Sequence, residues 1–424
     1  MSNTGASFRR ASKDDADSIF RVLSSAFQLE DGSSKWQSMR GLAYGATESF
    51  LVVERIGEVI GTAMISSHWL RVGIAKVLKG DVGEVAVLRE LHGQGFGTYL
   101  MQESVRYLRE NGFHLSRLGG LKRFYAKFGY IPFPRRFYEF LLIDAKAGAS
   151  SFPPDYIVKP TPEQEQRVRL YHPRHDWQRR NELYDSFNEN RTGSLIEGRG
   201  GNPPSGEPDP RALRFVYDDG KAKGYLFASE YSYEPSPFEA KVTIYDVAFD
   251  MDSPEAFVAL MRCTLRESLR RGAQRVTARL PFDPIVQKLL TDDSLPFSLH
   301  DLQSGLASNM IQVIDLKGTL ESIESELTRR RTDTISYPTF STQVQLNEQK
   351  AMMIINPESV QIESGDMRAD AHIACDAASF LRWILGLNSF DEWQEGVTNT
   401  LNRHQKIIFS SLFRKEPCAS GPWG

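Results

Sequence analysis

Three glycines at alternating positions, Gly93, Gly95 and Gly97, mark the stretch of the sequence best suited to chemistry. A short apolar, β-branched run at residues 85–88 precedes them and predicts a buried strand. An apolar stripe at helical spacing follows over residues 100–108, so the local order is strand, glycine loop, helix. Glycines let the backbone turn tightly, and the first amides of a helix lack an internal partner and favour negative charge. The loop is therefore a candidate phosphate site, and the alternative is a tight turn that binds no ligand.

The spacing of the glycines narrows the choice of phosphate ligand. A dinucleotide-binding fingerprint requires Gly-x-Gly-x-x-Gly and an acidic residue about 20 positions later. Here the glycines follow Gly-x-Gly-x-Gly, and the next candidate strand, residues 113–118, carries Arg117 in place of an acid. A nucleoside-triphosphate loop requires Gly-Lys-Ser/Thr, which this stretch lacks. The sequence therefore fits neither of these two ligand classes.

The same stretch resembles the acetyl-CoA loop of the GNAT superfamily of N-acetyltransferases. That pattern is a Val-Ala-Val strand, then Arg/Gln-x-x-Gly-x-Gly/Ala, then a helix. In this sequence the pattern matches His92, Gly95 and Gly97, and His92 occupies the position where the superfamily usually has Arg or Gln. A second match follows, because Phe124-Tyr125-Ala126-Lys127-Phe128-Gly129-Tyr130 is similar to the Phe-Tyr-x-x-x-Gly-Phe/Tyr segment of these enzymes. The two motifs together imply an acetyl-CoA-dependent N-acetyltransferase.

The resemblance implies a role for each residue of the two motifs. The amides of residues 93–98 would hold the pyrophosphate, and the edge of residues 85–87 would pair with the pantetheine arm. The amide of Val87 would bind the oxyanion, and Tyr125 would protonate the departing thiolate. The cofactor-binding residues predicted in this way are Val85, Ala86, Val87, His92, Gly93, Gln94, Gly95, Phe96, Gly97 and Thr98.

The composition sets the broad class of protein. A chain of 424 residues suggests three domains at about 150 residues each. A net charge of -3 gives no reason to expect nucleic acid or an anionic membrane as a partner. The 3 cysteines are far apart and odd in number, so we expect neither a disulfide framework nor a cysteine metal site, and no metal cofactor. No apolar run approaches the ~20 residues of a spanning helix, and the N-terminus lacks a signal-peptide core. The cysteine usage fits a reducing cytoplasm.

Taken in order, the chain predicts domains at residues 1–148, 149–300 and 301–424. The first is an α/β domain with a hairpin around residues 56–58 and a last strand at residues 137–143. The second repeats this order, with a hairpin at residues 218–220 and a central strand at residues 245–249. Its next helix starts at Ser253-Pro254, where proline removes an amide, so we expect no CoA in this copy.

The third domain has a different order of elements. A strand at residues 310–316 and an apolar helix capped by Asp376 predict an α+β domain with an apolar face. An active acetyltransferase domain, a degenerate copy and a C-terminal α+β domain together resemble the enhanced-intracellular-survival (Eis) family. This resemblance implies two GNAT-like mixed-sheet domains, a sterol-carrier-like third domain and a ring-like homo-oligomer, a hexamer.

The reaction also needs a base. A primary amine has a pKa near ~10.4 and is mostly protonated at about pH 7, so it cannot attack until a proton is removed. The Eis resemblance implies that the carboxylate of the chain's own C-terminus, here Gly424, takes this proton. Glu84 is the competing base, because it lies beside the central strand.

The acceptor and two other functions stay open. The amine could belong to a polyamine, an aminoglycoside or a lysine side chain. The alternatives to an enzyme are a non-catalytic acetyl-CoA sensor and a lipid- or sterol-binding carrier built on the third domain. The presence of both the glycine loop and Tyr125 favours the enzyme.

Overall fold

Three mixed β-sheets organise the chain. The computed structural model describes residues 5–133, 135–142, 159–196, 206–230, 242–302, 307–363 and 368–419. In this part of the chain the sheets have eight, seven and five strands, and each sheet contains one parallel pair of strands among antiparallel ones. The predicted mixed α/β architecture is therefore confirmed.

The elements follow one another in three runs. The first run is β1 (Ala6–Arg10), α1 (Ala16–Phe27), α2 (Ser34–Gly45), β2 (Phe50–Arg55), β3 (Glu58–Val72), β4 (Ala75–Val87), α3 (Phe96–Glu110), β5 (Leu115–Leu121), α4 (Lys122–Tyr125), β6 (Ile131–Pro132) and β7 (Arg135–Leu141). The second is α5 (Pro162–Arg167), β8 (Val168–Leu170), α6 (Pro173–Asn188), β9 (Leu195–Ile196), β10 (Leu213–Asp218), β11 (Ala222–Ser229), β12 (Val242–Phe249), α7 (Pro254–Arg270), β13 (Arg275–Ala278), α8 (Pro284–Asp292) and β14 (Ser298–Leu302). The third is β15 (Ala307–Val313), α9 (Leu316–Ser322), α10 (Glu324–Thr332), β16 (Phe340–Leu346), β17 (Gln349–Ile355), β18 (Val360–Glu363), β19 (Ala371–Cys375), α11 (Ala377–Ile384), β20 (Thr398–Asn399) and α12 (Arg403–Leu412).

The first sheet has the order β1-β2-β3-β4-β5-β15-β6, and β9 adds to β3. Both hairpins predicted from sequence are confirmed, since β2 pairs with β3 and β10 pairs with β11 in antiparallel register. Helices α1 and α3 cover the first sheet because each has an apolar stripe. Ile19 and Val22 on α1, and Leu100 and Leu108 on α3, are completely buried against its strands.

Two strands belong to other sheets than the sequence predicted. The strand expected at residues 137–143 to close the first sheet is β7, and it lies in the second sheet between β13 and β14. The strand expected in the third domain at residues 310–316 is β15, and it pairs with β5 of the first sheet. Both predictions were wrong because apolar periodicity indicates a buried strand without indicating its partner. The domain boundaries at residues 148 and 300 stay predictions, although these two strands pair across them.

The third sheet packs against the first through a continuous apolar core. Leu70 on β3, Val77 on β4 and Leu115 on β5 are 0% exposed and belong to the same buried cluster as Val344 and Trp383 of the third sheet and its helix α11. The part of the chain that follows β15, from α9 to α12, is called the third unit here. It covers one face of the first sheet at the β3–β4 hairpin end. Among the described helices, none combines the length and apolar character needed to cross a membrane.

Candidate active site

Strands β4 and β5 separate in the middle of the first sheet. Their parallel pairing runs from Lys79 to Val82 on β4, whereas β4 continues to Val87. The amide of Leu88 donates to the carbonyl oxygen of Ile60 on β3 at 2.9 Å. Because successive amides along a strand point to opposite edges, the amide of Val87 points away from β3 and into the gap. The gap therefore presents a strand edge to which an extended ligand can pair.

The glycine loop closes one end of this gap. Gly95 has φ +90° and is the N-cap of α3, a conformation that a residue with a side chain adopts only with strain. The first intrahelical bond joins the amide of Tyr99 to the carbonyl oxygen of Gly95 at 3.0 Å. The amides of Phe96, Gly97 and Thr98 precede it, and no side chain caps this end of the helix. These amides can therefore bind an anion.

Gly97, in the glycine loop, lies close to both the end of β4 and the segment that contains Phe124 and Tyr125. A Cβ atom built on Gly97 would lie 3.7 Å from Cζ of Phe124 and 3.9 Å from Cγ2 of Val87. The start of α3 thus packs between the end of β4 and the segment that carries Tyr125. The three stretches that sequence reasoning singled out meet at one place in the fold.

Tyr125 lies half-buried beside this meeting point. Its ring makes an edge contact with Phe124, with ring centroids 5.0 Å apart. Burial raises the pKa of the Tyr125 phenol above its usual value of 10.0. Its hydroxyl makes no hydrogen bond to any residue that the structure describes. The phenol is therefore protonated at neutral pH and available as an acid.

Glu84 occupies a bulge in β4. Thr62 pairs with Ala86 and Met64 pairs with Gly83, so that Glu84 and its neighbour in β4 lie opposite one residue of β3. Glu84 has φ +49°, in the left-handed region that few non-glycine residues adopt. Burial raises the pKa of its carboxyl group above 4.5, and the charge of Lys35 opposes this shift more weakly. Backbone strain and a desolvated carboxyl group at one residue are characteristic of functional sites.

The remaining predicted cofactor residues lie along the same strand and loop. Ala86 and Val87 are 4% and 8% exposed, and Val85 is half-buried. The Nε2 atom of His92 lies 2.9 Å from the carbonyl oxygen of Val87, so this imidazole contacts the end of β4. The side-chain Nε2 of Gln94 donates to the carbonyl oxygen of Glu90 at 3.3 Å, inside the turn that precedes Gly95. Gly424 lies outside the described residues.

Sequence reasoning missed a charged cluster next to the gap. Lys79 is 0% exposed, and its Nζ lies 3.0 Å from Oδ1 of Asp81. Nε2 of His68 lies 3.7 Å, and Nη1 of Arg117 3.9 Å, from Oδ2 of the same carboxylate. Burial lowers the pKa of Lys79 and of His68, and the charge of Asp81 opposes both shifts. The available signal was a pair of opposite charges, two positions apart, between Val77 and Val82 in a predicted strand.

No described group of three or more His, Cys, Asp and Glu side chains could hold a metal ion. Ala419 is the last described residue, and its backbone amide donates to the carbonyl oxygen of Thr192 at 2.8 Å. Gly193 in turn donates from its amide to the carbonyl oxygen of Arg71 on β3 at 2.8 Å. The last described segment is therefore attached to the first sheet at the β3–β4 hairpin end.

Comparison with known proteins agrees with this geometry. Residues 7–133 match the family model described as an acetyltransferase (GNAT) domain. An uncharacterised N-acetyltransferase from Archaeoglobus fulgidus is 29% identical over 135 residues, which cover 28% of this chain and 88% of that protein.

Two solved structures are similar over nearly the whole chain. A GCN5-related N-acetyltransferase from Kribbella flavida is 15% identical, with a TM-score of 0.66 and 98% and 97% of the two chains covered. Eis1 from Mycobacterium abscessus is 18% identical, with a TM-score of 0.58 and 99% and 100% covered. At these identities the similarity shows a shared fold.

Proposed function

Since this chain is an acyltransferase whose GNAT domain spans residues 7–133, we propose that it transfers the acetyl group of acetyl-CoA to a primary amine. The observation that carries this proposal is the packing of Gly97 between Val87 and Phe124. It brings an uncapped helix start, an open strand edge and a half-buried phenol to one gap in the sheet. A thioester ligand with a diphosphate at one end requires these three features together.

Acetyl-CoA would bind along the gap. The amides from Gly93 to Thr98 would bind its pyrophosphate, and the edge of β4 at residues 85–87 would pair with the amides of its pantetheine arm. The separation of β4 from β5 beyond Val82 supports this position, because no strand in the described part of the chain pairs with that edge. We assign His92 a supporting role: its contact with the Val87 carbonyl oxygen fixes the turn between strand and loop.

The reaction would proceed by direct attack. The amine nitrogen adds to the thioester carbonyl carbon, and the resulting oxyanion accepts a hydrogen bond from the amide of Val87. When the tetrahedral intermediate collapses, the carbon–sulfur bond breaks and the phenol of Tyr125 gives its proton to the thiolate. The products are the acetylated amine and CoA. A raised pKa for Tyr125 supports this role, because the phenol must carry a proton when the sulfur leaves.

Two carboxylates compete for the role of base. Glu84 lies on the strand that borders the gap, and its raised pKa makes the carboxylate a stronger base than an exposed one. The other candidate is the C-terminal carboxylate at Gly424. Ala419 lies beside Thr192 at the β3–β4 hairpin end of the first sheet, the end opposite residues 85–87, so this attachment does not distinguish the two candidates.

We further propose that the second sheet belongs to a degenerate copy that binds no CoA. β12 pairs with β13 in parallel only from Val242 to Ile244 and then continues to Phe249, so the strand separation of the first sheet is repeated. Helix α7, however, begins with Pro254, which has no amide proton, and Glu255 follows in its first turn. A phosphate group at the start of α7 would lack one backbone N–H donor, and the carboxylate of Glu255 would repel it.

The Eis-like organisation remains a proposal as well: a sterol-carrier-like third domain, a cytoplasmic location and a hexameric homo-oligomer. The core of the third unit is filled by large side chains, among which Trp383, Phe409 and Phe413 are at most 1% exposed and in mutual ring contact. This packing favours a structural role over lipid transport.

The test is release of CoA thiol by the full chain with acetyl-CoA and a panel of amines: a polyamine, an aminoglycoside and a lysine peptide. We expect thiol release that depends on one of these amines and a matching acetylated product by mass spectrometry. Tight acetyl-CoA binding without amine-dependent thiol release would instead support the sensor function and contradict ours.

A further inference from the structure

A cleft lies between the second sheet and the third unit. None of its lining residues belongs to the acetyl-transfer site. Its volume is about 800 Å³, within the range of about 300–1,000 Å³ typical of small-molecule sites. Arg136 on β7 and Leu299 on β14 form one side, and Leu387, after α11, and Lys415, near the chain end, form the other. The cleft thus depends on the pairing of β7 with strands of the second sheet.

Part of the cleft wall is apolar, and polar side chains, among them Gln287 and His300, form the rest. Phe282, Leu299 and Leu387 line the apolar part. Leu299 is 46% exposed, although it is a large aliphatic side chain on a strand. An apolar body lying in the cleft would remove this surface from water, which is favourable.

The charges at the cleft are mainly positive. Lys415 is exposed and forms no ion pair with any residue that the structure describes. The guanidinium carbon of Arg136 lies 5.4 Å from the ring centroid of Phe282, so a cation and an aromatic face stand side by side. The one acidic lining residue, Glu416, has its carboxylate 2.5 Å from Nε of Arg414 and 3.8 Å from Nε of Arg330. Its charge is therefore already compensated.

From this combination of apolar surface and cationic side chains we infer that the cleft binds a small apolar monocarboxylate. The carboxylate would lie beside Lys415, whose ammonium group can donate a charge-assisted hydrogen bond, and the positive charge of Arg136 lies on the opposite side of the cleft. The apolar body would pack on Phe282 and Leu299. The charge of Lys415 distinguishes this ligand from a neutral apolar one, and the cleft is independent of the acetyl-transfer chemistry proposed above.

The test uses one ring system with two head groups. 2-Naphthoate carries the carboxylate, and 2-naphthamide is its neutral counterpart of nearly the same shape. We expect calorimetry on the full chain to show saturable one-to-one binding of 2-naphthoate, with 2-naphthamide at least about tenfold weaker, the usual scale for one charge-assisted hydrogen bond. Lys415→Met should weaken 2-naphthoate about tenfold and leave 2-naphthamide unchanged.

Two further variants and two ligands complete the design. Lys406→Met removes an exposed lysine of α12 outside the cleft and should change nothing. Leu299→Asn should weaken both naphthyl ligands, because it removes the apolar wall. Equal affinity for the carboxylate and the amide, or an equal loss in the Lys406 variant, contradicts the inference. So does displacement of 2-naphthoate by acetyl-CoA, or 2-naphthyl phosphate binding more tightly than the carboxylate.

Discussion

The ring of Tyr125 occupies the space that a side chain on Gly120 would need. A Cβ atom on Gly120 would lie 2.6 Å from Cε2 of Tyr125, closer than real Cβ contacts allow. Because Gly120 has no side chain, the ring of Tyr125 can pack directly against the end of β5. A larger residue at position 120 would therefore displace the ring of Tyr125.

Tyr125→Phe should lower the acetyl-transfer rate by at least about 10²-fold, the usual scale for loss of one general acid. Affinity for acetyl-CoA should stay the same, because the substitution removes only the hydroxyl. Because burial raises the pKa of Tyr125 above 10.0, the native enzyme should keep its activity on the alkaline side up to that range. Steady-state rates with pH and calorimetric titration with acetyl-CoA measure these effects.

The matched control is Tyr107→Phe, the same change on a half-buried tyrosine of α3. It should leave the rate unchanged. Full turnover by the Tyr125 variant would remove this residue from the mechanism.

Gly95→Ala should weaken acetyl-CoA binding by about tenfold or more, because alanine disfavours the φ of +90° that aligns the loop amides. Gly112→Ala is the matched control, since Gly112 has φ +72° after the end of α3 and, like Gly95, has open space around a Cβ atom. Both variants should lose a similar amount of stability, about 1 kcal/mol, in urea unfolding. If both lose affinity equally, the loop amides are not the pyrophosphate site.

Glu84→Gln should abolish the acid limb of the pH–rate profile if Glu84 is the base. Burial raises the pKa of this carboxyl group, so the native rate should fall as pH drops through a value above 4.5. The same shift means that folding favours the protonated form, and the stability it contributes is lost as pH rises through the raised pKa. Glu84→Gln should therefore be at least as stable as the native chain at pH 7.

Glu58→Gln, on the exposed β2–β3 hairpin, is the control and should leave the profile unchanged. A chain lacking Pro422 to Gly424 tests the other base. A rate loss of about 10²-fold in this chain, together with an unaltered profile for Glu84→Gln, would assign the proton transfer to the C-terminal carboxylate.

Glu326→Gln should destabilise the chain by about 3 kcal/mol, the scale for breaking a buried ion pair. The Glu326 side chain is 0% exposed, and its carboxylate lies 2.6 Å from Nε of Arg330 and 2.7 Å from Nη2 of Arg329. It also accepts the amide of Ile74 in the β3–β4 hairpin at 3.1 Å. This contact ties α10 of the third unit to the first sheet.

The pKa of Glu326 is lowered in the folded state because the hydrogen bonds and charges of its arginines outweigh the effect of burial. The stability from this group is therefore present above its unfolded pKa and lost as pH falls through the lower, folded value. Urea unfolding between pH 7 and pH 3 measures this dependence. Glu321→Gln, which affects an exposed pair on α9, should cost less than about 0.5 kcal/mol.

The local features of the site follow from short stretches of the sequence. Gly95 and Gly97 predict a loop that opens a helix, and Tyr125 lies in a motif of fixed spacing, because turns and helix starts depend on residues close together in the chain. The hairpins were predictable for the same reason. The resemblance to acetyltransferases depends on these two short motifs, and the matching family model covers that part of the chain.

Contacts between residues that lie far apart in the chain become visible in the folded structure. β7 joins the second sheet and β15 the first, although their apolar patterns would fit either. The approach of His68 on β3 and Arg117 on β5 to Asp81 on β4 arises where three strands meet in space. Strand pairing and side-chain packing depend on which surfaces the whole chain brings into contact, and the residues of one segment do not specify that choice.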